Sequence, residues 1–86
     1  MNSFIDSLNL PFQGEMRGSQ YFIDVDNSND FSTLFNSISL NDLLRLEDKS
    51  IANVNESNFR YTNGEYDVVL KADYKNNIYS LSIEER

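Results

Sequence analysis

The sequence predicts an α+β fold in which an antiparallel sheet of about five strands carries short helices on one face. Three observations predict it: alternating apolar residues from Asn58 to Glu84, a second alternating segment within residues 10–26, and a helical apolar stripe that begins at Phe31. The chain has 86 residues, so we expect a single small domain covering residues 1–86.

The C-terminal segment predicts a three-strand meander with turns at Asn63-Gly64 and Asn76-Asn77, since glycine and asparagine tolerate the positive φ of tight turns. Treated as two-residue loops, these turns pair Tyr61 with Tyr66 and Ala72 with Leu81. Arg60 then lies opposite Asp67 on a polar face that we expect to be wet. The predicted apolar face consists of Phe59, Tyr61, Tyr66, Val68, Leu70, Ala72, Tyr74, Tyr79, Leu81 and Ile83.

The N-terminal part predicts a short helix over residues 3–9 with Ser3 as its N-cap, ended by Pro11. Residues 20–26 alternate as a strand does, and Arg17-Gly18-Ser19 is typical of a turn. We therefore expect residues 10–26 to form a second hairpin that extends the sheet.

The middle of the chain predicts a helix with Phe31, Leu34, Phe35 and Ile38 inward, capped by Asp30 or Asn29. The segment from Ser39 to Asp42 is an aspartate variant of the capping box, so a second helix is expected to start there, with Leu40, Leu43 and Leu44 inward and Leu46 as a further candidate. The alternative is a hairpin in which residues 38–40 pair with residues 44–46. Residues 48–57 are predicted to be a connector anchored by Ile51 and Val54.

The composition excludes most catalytic chemistry. The chain has no histidine and no cysteine, which removes the serine and cysteine triads, the HExxH zinc helix and thiolate ligands. A calcium loop counted from Asp24 has Asn29 where glycine is needed and Phe35 where a bidentate glutamate is needed. We therefore expect no catalytic residue, no cofactor and no metal ion. No stretch approaches the ~20 apolar residues of a membrane helix, so we expect a cytoplasmic protein without membrane contact.

The charge balance favours a protein partner over nucleic acid. The net charge is −7, and no lysine or arginine occurs from Gly18 through Leu44. Direct binding of phosphates needs basic residues, so the predicted partner is a larger protein with a basic surface, such as a nuclease or another nucleic-acid-handling enzyme. The prediction is a non-enzymatic inhibitor that mimics nucleic acid, of the kind that phages and mobile elements use, including anti-CRISPR proteins, acting in the host cytoplasm. The candidate contact residues are Asp24, Asp26, Asp30, Asp42, Glu65, Asp67 and Asp73.

Two other functions fit the same sequence. A structural module would join copies of itself, or a larger complex, through a sheet edge or an apolar patch, and its acidic residues would only provide solubility. A toxin-immunity protein would present the same negative charge to a basic nuclease.

Overall fold

The fold is α+β, as predicted, but the antiparallel sheet has six strands where five were expected. The computed structural model describes the backbone of residues 1–86 and every side chain except that of Ala52. The strands are arranged in the order β1-β2-β6-β5-β4-β3. The elements are α1 (Asn2–Ser7), β1 (Glu15–Arg17), β2 (Gln20–Val25), α2 (Ser28–Ser39), β3 (Arg45–Asn53), β4 (Glu56–Thr62), β5 (Tyr66–Asp73) and β6 (Ile78–Glu85).

The predicted N-terminal hairpin is confirmed as β1 and β2, and it extends the sheet by pairing β2 with β6. Ile23 lies opposite Leu81, so the apolar positions of β2 continue the apolar face of the meander. Gly18 supplies the positive φ of +63° in the turn between the two strands. The edge strand β1 has only three residues.

The meander forms with the predicted faces but with both registers displaced by two residues. Tyr61 lies opposite Val68, and Leu70 lies opposite Leu81. In the first turn the Asn63 side-chain oxygen accepts hydrogen bonds from the backbone amides of Glu65 and Tyr66. The two-residue loop is therefore Gly64-Glu65, one residue later than the predicted Asn63-Gly64. Because each displacement is even, every side chain stays on its predicted face.

The second turn is longer than predicted. Asp73 is the last residue of β5 to pair, with Ile78, so residues 74–77 form a four-residue loop in place of the two-residue turn. Asn77 adopts the left-handed conformation there, at φ +53°, as expected for an asparagine turn.

The core lies between the apolar face of the sheet and the two helices. Eight of the ten predicted face residues are buried; Phe59 is half-buried and Tyr74 is 44% exposed. Phe31 of α2 stacks on Tyr79 at 5.2 Å between ring centroids, and Phe4 of α1 stacks on Tyr66 at 4.6 Å. These contacts dock both helices on the same face.

Both predicted helix caps are wrong. Helix α1 starts at Asn2 with Met1 as its N-cap and no side-chain cap, so Ser3 lies inside the helix. Helix α2 starts at Ser28, and its N-cap is Asn27 because the Asn27 side chain accepts a hydrogen bond from the Asp30 amide. The inward stripe of α2 is confirmed, with Phe31, Leu34 and Ile38 buried.

The second helix predicted from Ser39 is wrong, and so is the connector over residues 48–57. Helix α2 ends at Ser39, residues 40–44 form the link, and β3 and β4 form a hairpin. The alternative hairpin of residues 38–40 with 44–46 does not form either, because Ile38 is buried in α2. Ile51 and Val54 anchor nothing, since they are 60% and 92% exposed.

Candidate functional site

Two of the predicted contact residues come together where the loop after β2 meets the first turn of α2. The Asn27 amide nitrogen Nδ2 donates to Asp26 Oδ1 at 3.1 Å and to Asp30 Oδ2 at 3.0 Å. One amide group thus holds two carboxylates close together, and its own oxygen caps the helix. Neither carboxylate forms an ion pair with any side chain that the structure describes. We call Asp26, Asn27 and Asp30 the capping cluster.

Asp24 precedes the capping cluster on β2 but is partly neutralised. Its carboxylate contacts the Arg17 guanidinium, which also lies 2.8 Å from Glu15 Oε1. The pKa of Arg17 is raised, first by its hydrogen bond to Asp24 and then by the one to Glu15. Asp24 therefore offers less free negative charge to a partner than the capping cluster does.

Asp73 lies at the same end of the sheet as the capping cluster. It is the last residue of β5 and pairs with Ile78, the first residue of β6, while Val25 at the end of β2 pairs with Tyr79. The Asn76 side chain donates to Asp73 Oδ2 at 2.8 Å. The pKa of Asp73 is lowered, chiefly by this hydrogen bond and with help from the Asn76 backbone amide. Asp73 is half-buried and its remaining surface faces solvent.

The other three candidate residues lie elsewhere. Glu65 is in the β4–β5 turn, at the opposite end of the sheet, and Asp42 is in the link between α2 and β3. Asp67 is only 6% exposed. The structure therefore gathers Asp26, Asp30 and Asp73 at one end, with Asp24 nearby, and separates Glu65, Asp42 and Asp67 from them.

The polar face of the sheet holds an ion-pair network. Arg60 lies opposite Val69 in the register, but its Nη1 reaches diagonally to Asp67 Oδ2 at 2.7 Å and to Glu84 Oε1 at 3.2 Å. Arg86 Nε lies 3.1 Å from Asp67 Oδ1, and its guanidinium also contacts Glu47. The pKa of Arg60 is raised, first by the hydrogen bond to Glu84. The predicted Arg60–Asp67 pair thus forms, although the two residues are not directly opposite.

Most carboxylates stay free of this network. Ion pairs among the described side chains involve five of the fourteen acidic residues, which leaves nine without one. The same pairs use three of the seven basic residues. The unpaired acidic residues are Asp6, Asp26, Asp30, Asp42, Asp48, Glu56, Glu65, Asp73 and Glu85.

Exposed leucines form a second feature that the sequence did not reveal. Leu40 is 80% exposed, and Leu43 and Leu46 follow it as exposed residues in and after the α2–β3 link. Such side chains cost free energy in water, and exposed apolar groups close together mark contact surfaces when they form a patch. Their helical spacing had placed Leu40 and Leu43 in the core, and this is wrong.

Comparison with known proteins identifies no relative. No protein-family model, no curated protein sequence and no solved structure matches this chain. Within the described residues no group of three or more acidic side chains is arranged to hold a metal ion. Likewise, neither helix among the described residues has the length and apolar character needed to cross a bilayer.

Proposed function

We propose that this chain is a non-enzymatic binding protein that docks unpaired carboxylates on a basic surface of a larger protein. The partner class is a nuclease or another nucleic-acid-handling enzyme, whose phosphate-binding groove would accept negative side chains in place of nucleic acid. In this role the chain is an inhibitor and a nucleic-acid mimic, of the kind that phages and mobile elements encode, including anti-CRISPR proteins. A toxin-immunity protein would use the same chemistry.

The capping cluster is the observation that supports this proposal most. The Asn27 side chain orients the Asp26 and Asp30 carboxylates together, and a prearranged pair loses less side-chain entropy on binding than two free carboxylates. The segment from Gly18 through Leu44, which contains the cluster, has no lysine or arginine that would repel a basic partner. Asp73 adds a further carboxylate at the same end of the sheet.

The test is capture of a partner from host lysate on immobilised protein, followed by elution with a salt gradient. Replacement of both carboxylates, as in Asp26→Asn with Asp30→Asn, removes two charges and keeps the side-chain shape. Each exposed ion pair contributes ~0.2–1 kcal/mol, so we expect the affinity to fall about 2- to 30-fold at low salt.

A matched control removes the same charge at the other end of the molecule. Asp6→Asn with Glu85→Gln changes two exposed, unpaired carboxylates near α1 and the end of β6. This control is expected to bind the captured partner within about twofold of the wild-type protein, because its two carboxylates lie at the other end of the molecule from the assigned contact surface and make no contact with the partner. Equal losses in both variants, or none in the capping-cluster variant, would reject the assigned surface.

The second candidate function is assembly, and the exposed leucines favour it. A module that joins other subunits through Leu40, Leu43 and Leu46 would bind by burying apolar area. Its affinity would hold or rise as salt increases, whereas the electrostatic inhibitor would be eluted. Leu40→Ser with Leu43→Ser separates the two functions, since it weakens assembly and leaves a carboxylate-mediated complex intact.

A further inference from the structure

An aromatic groove lies between α2 and β4, and its lining residues Ser28 and Phe31 are sequence neighbours of the capping cluster. It has a volume of about 310 Å³ and is lined by Ser28, Phe31, Ser32, Phe35, Phe59 and Tyr74. Phe35 meets Phe59 edge to face at 4.8 Å, and Phe31 meets Tyr74 edge to face at 6.3 Å. The volume is at the low end of the ~300–1,000 Å³ that is usual for small-molecule sites, so the groove suits a molecule of one or two rings.

Carboxylates adjoin the α2 and Tyr74 sides of this groove, since Asp30 precedes Phe31 and Asp73 precedes Tyr74, whereas the charged residue near its Phe59 side is a lysine. Lys49 lies opposite Phe59 in the β3–β4 register, and its Nζ is 5.9 Å from the centroid of the Phe59 ring. Lys49 is exposed and forms no ion pair among the described side chains. The chain has twice as many acidic as basic residues, so most of its unpaired charges are negative, whereas the charge beside the Phe59 ring is positive. Its charge complements an anion.

We propose that the aromatic groove binds a small aromatic carboxylate. The ring system lies among the four aromatic side chains, and the carboxylate faces Lys49. The hydroxyl groups of Ser28 and Ser32 on the α2 side of the groove supply the polar contacts that orient such a ligand. This site adjoins the carboxylate surface proposed above but uses none of the residues of the capping cluster, so each is tested with its own variants.

The edge of the sheet gives a reason to prefer a small ligand over an added strand. The neighbouring edge strand β3 carries Arg45, Glu47, Asp48 and Lys49, and its pairing with β4 is irregular between Leu46 and Asp48. Charged side chains and bulges are the means by which natural sheets prevent a further strand from pairing with an edge. The groove therefore remains open beside an edge that resists pairing.

The experiment titrates the whole chain with 2-naphthoate, followed by backbone amide and aromatic NMR shifts. Two probes of similar shape, 2-naphthalenemethanol and 2-naphthylmethylamine, serve as neutral and cationic comparisons. A ligand of about 13 non-hydrogen atoms at ordinary ligand efficiency binds with a Kd of about 1 mM. We expect the naphthoate to bind about two- to fivefold more tightly than the methanol, and the amine to bind weakest.

Two variants assign the site. Lys49→Gln is expected to abolish the preference for the carboxylate, whereas Lys71→Gln, on the polar face of the sheet, should keep it. Ser32→Leu fills the groove and should weaken all three probes about tenfold, by displacement of the ring. Asn36→Leu adds the same side chain one helical turn away, outside the groove, and should change nothing.

Several results would overturn the proposal. Shifts that do not saturate by about 10 mM, well above the expected Kd, would mean that there is no site. Shifts centred on Leu40 to Leu46 would place the ligand elsewhere. Equal binding of all three probes would show that the site does not select an anion. A carboxylate preference that survives Lys49→Gln would show that Lys49 does not provide the selectivity. Circular dichroism of each variant verifies that the fold is unchanged.

Discussion

Asp67→Asn tests whether the ion-pair network on the polar face stabilises the fold. Asp67 is 6% exposed and accepts a hydrogen bond from Arg60, and it also forms an ion pair with Arg86. Asparagine keeps the shape of the Asp67 side chain but removes its negative charge. It also replaces one acceptor oxygen with an NH2 donor, which faces the donor groups of Arg60 or Arg86. A hydrogen bond to a charged group contributes about 1.5–3 kcal/mol, and both guanidinium groups stay more than one-third exposed to water, which offsets part of the loss. We expect a loss of about 2 kcal/mol in the free energy of unfolding.

The assay is urea unfolding at pH 7 and low salt, followed by circular dichroism. Glu65→Gln is the control, because Glu65 is exposed in a turn and should change stability by less than about 0.5 kcal/mol. In an Arg60→Gln background, Asp67→Asn should cost less, with a coupling of about 1 kcal/mol between the two residues. A loss below about 0.5 kcal/mol for Asp67→Asn would refute a stabilising role for the network.

Three further predictions concern the core, a loop and a tight packing contact. Leu34→Ala should cost about 2–5 kcal/mol of unfolding free energy in the same urea assay because Leu34 is fully buried, whereas Leu40→Ala should stay within about 0.5 kcal/mol. The pKa of Asp73, measured by NMR titration, should lie below its ordinary value and should rise in Asn76→Ala. Because the pKa of Asp73 is lower in the folded than in the unfolded chain, its ionised form stabilises the fold above the unfolded pKa. This stabilisation is lost as the pH falls through the folded pKa. Gly14→Ala should lower thermal stability by about 1–3 kcal/mol, because its Cβ would clash with a backbone carbonyl of β2; an unchanged melting temperature would show that this contact is loose.

The sequence is sufficient to predict the faces of the meander because alternation is a strong signal where one face is buried. It does not determine the exact pairing, because Asn63 has two ways to close the turn. In the structure its side chain accepts from the backbone amide of Tyr66, which places Gly64 and Glu65 at the centre of the loop. A displacement of two residues keeps every apolar residue inward, so hydrophobicity alone does not distinguish the two registers.

Strand β3 was missed because every side chain that the structure describes in it is exposed. Its segment has no apolar alternation, since an edge strand beyond the helices has nothing to bury. The leucines of the α2–β3 link caused the opposite error, because their helical spacing predicted a buried helix where the structure has an exposed link. The Asn41 side chain accepts a hydrogen bond from the Leu43 amide, and this local turn prevents the second helix and leaves Leu40 and Leu43 in solvent.

The candidate contact residues were only partly predictable. The sequence gives the number of carboxylates but not their partners, because ion pairs such as Arg86 with Asp67 join residues far apart in the chain. The capping cluster was easier to predict from the sequence, because Asp26, Asn27 and Asp30 are close together in the chain and a helix cap was expected within this segment. The aromatic groove needed the packing of α2 against β4, which no local pattern indicates.

The most direct test of the proposed function is the rate at which the captured partner associates with the wild-type protein and with Asp26→Asn/Asp30→Asn, measured from about 50 to 500 mM salt, where the Debye length shrinks severalfold. The account predicts a wild-type association rate that falls steeply with salt and a variant rate that is lower at low salt, with the two converging at high salt. Superimposable salt profiles for the two proteins would contradict it.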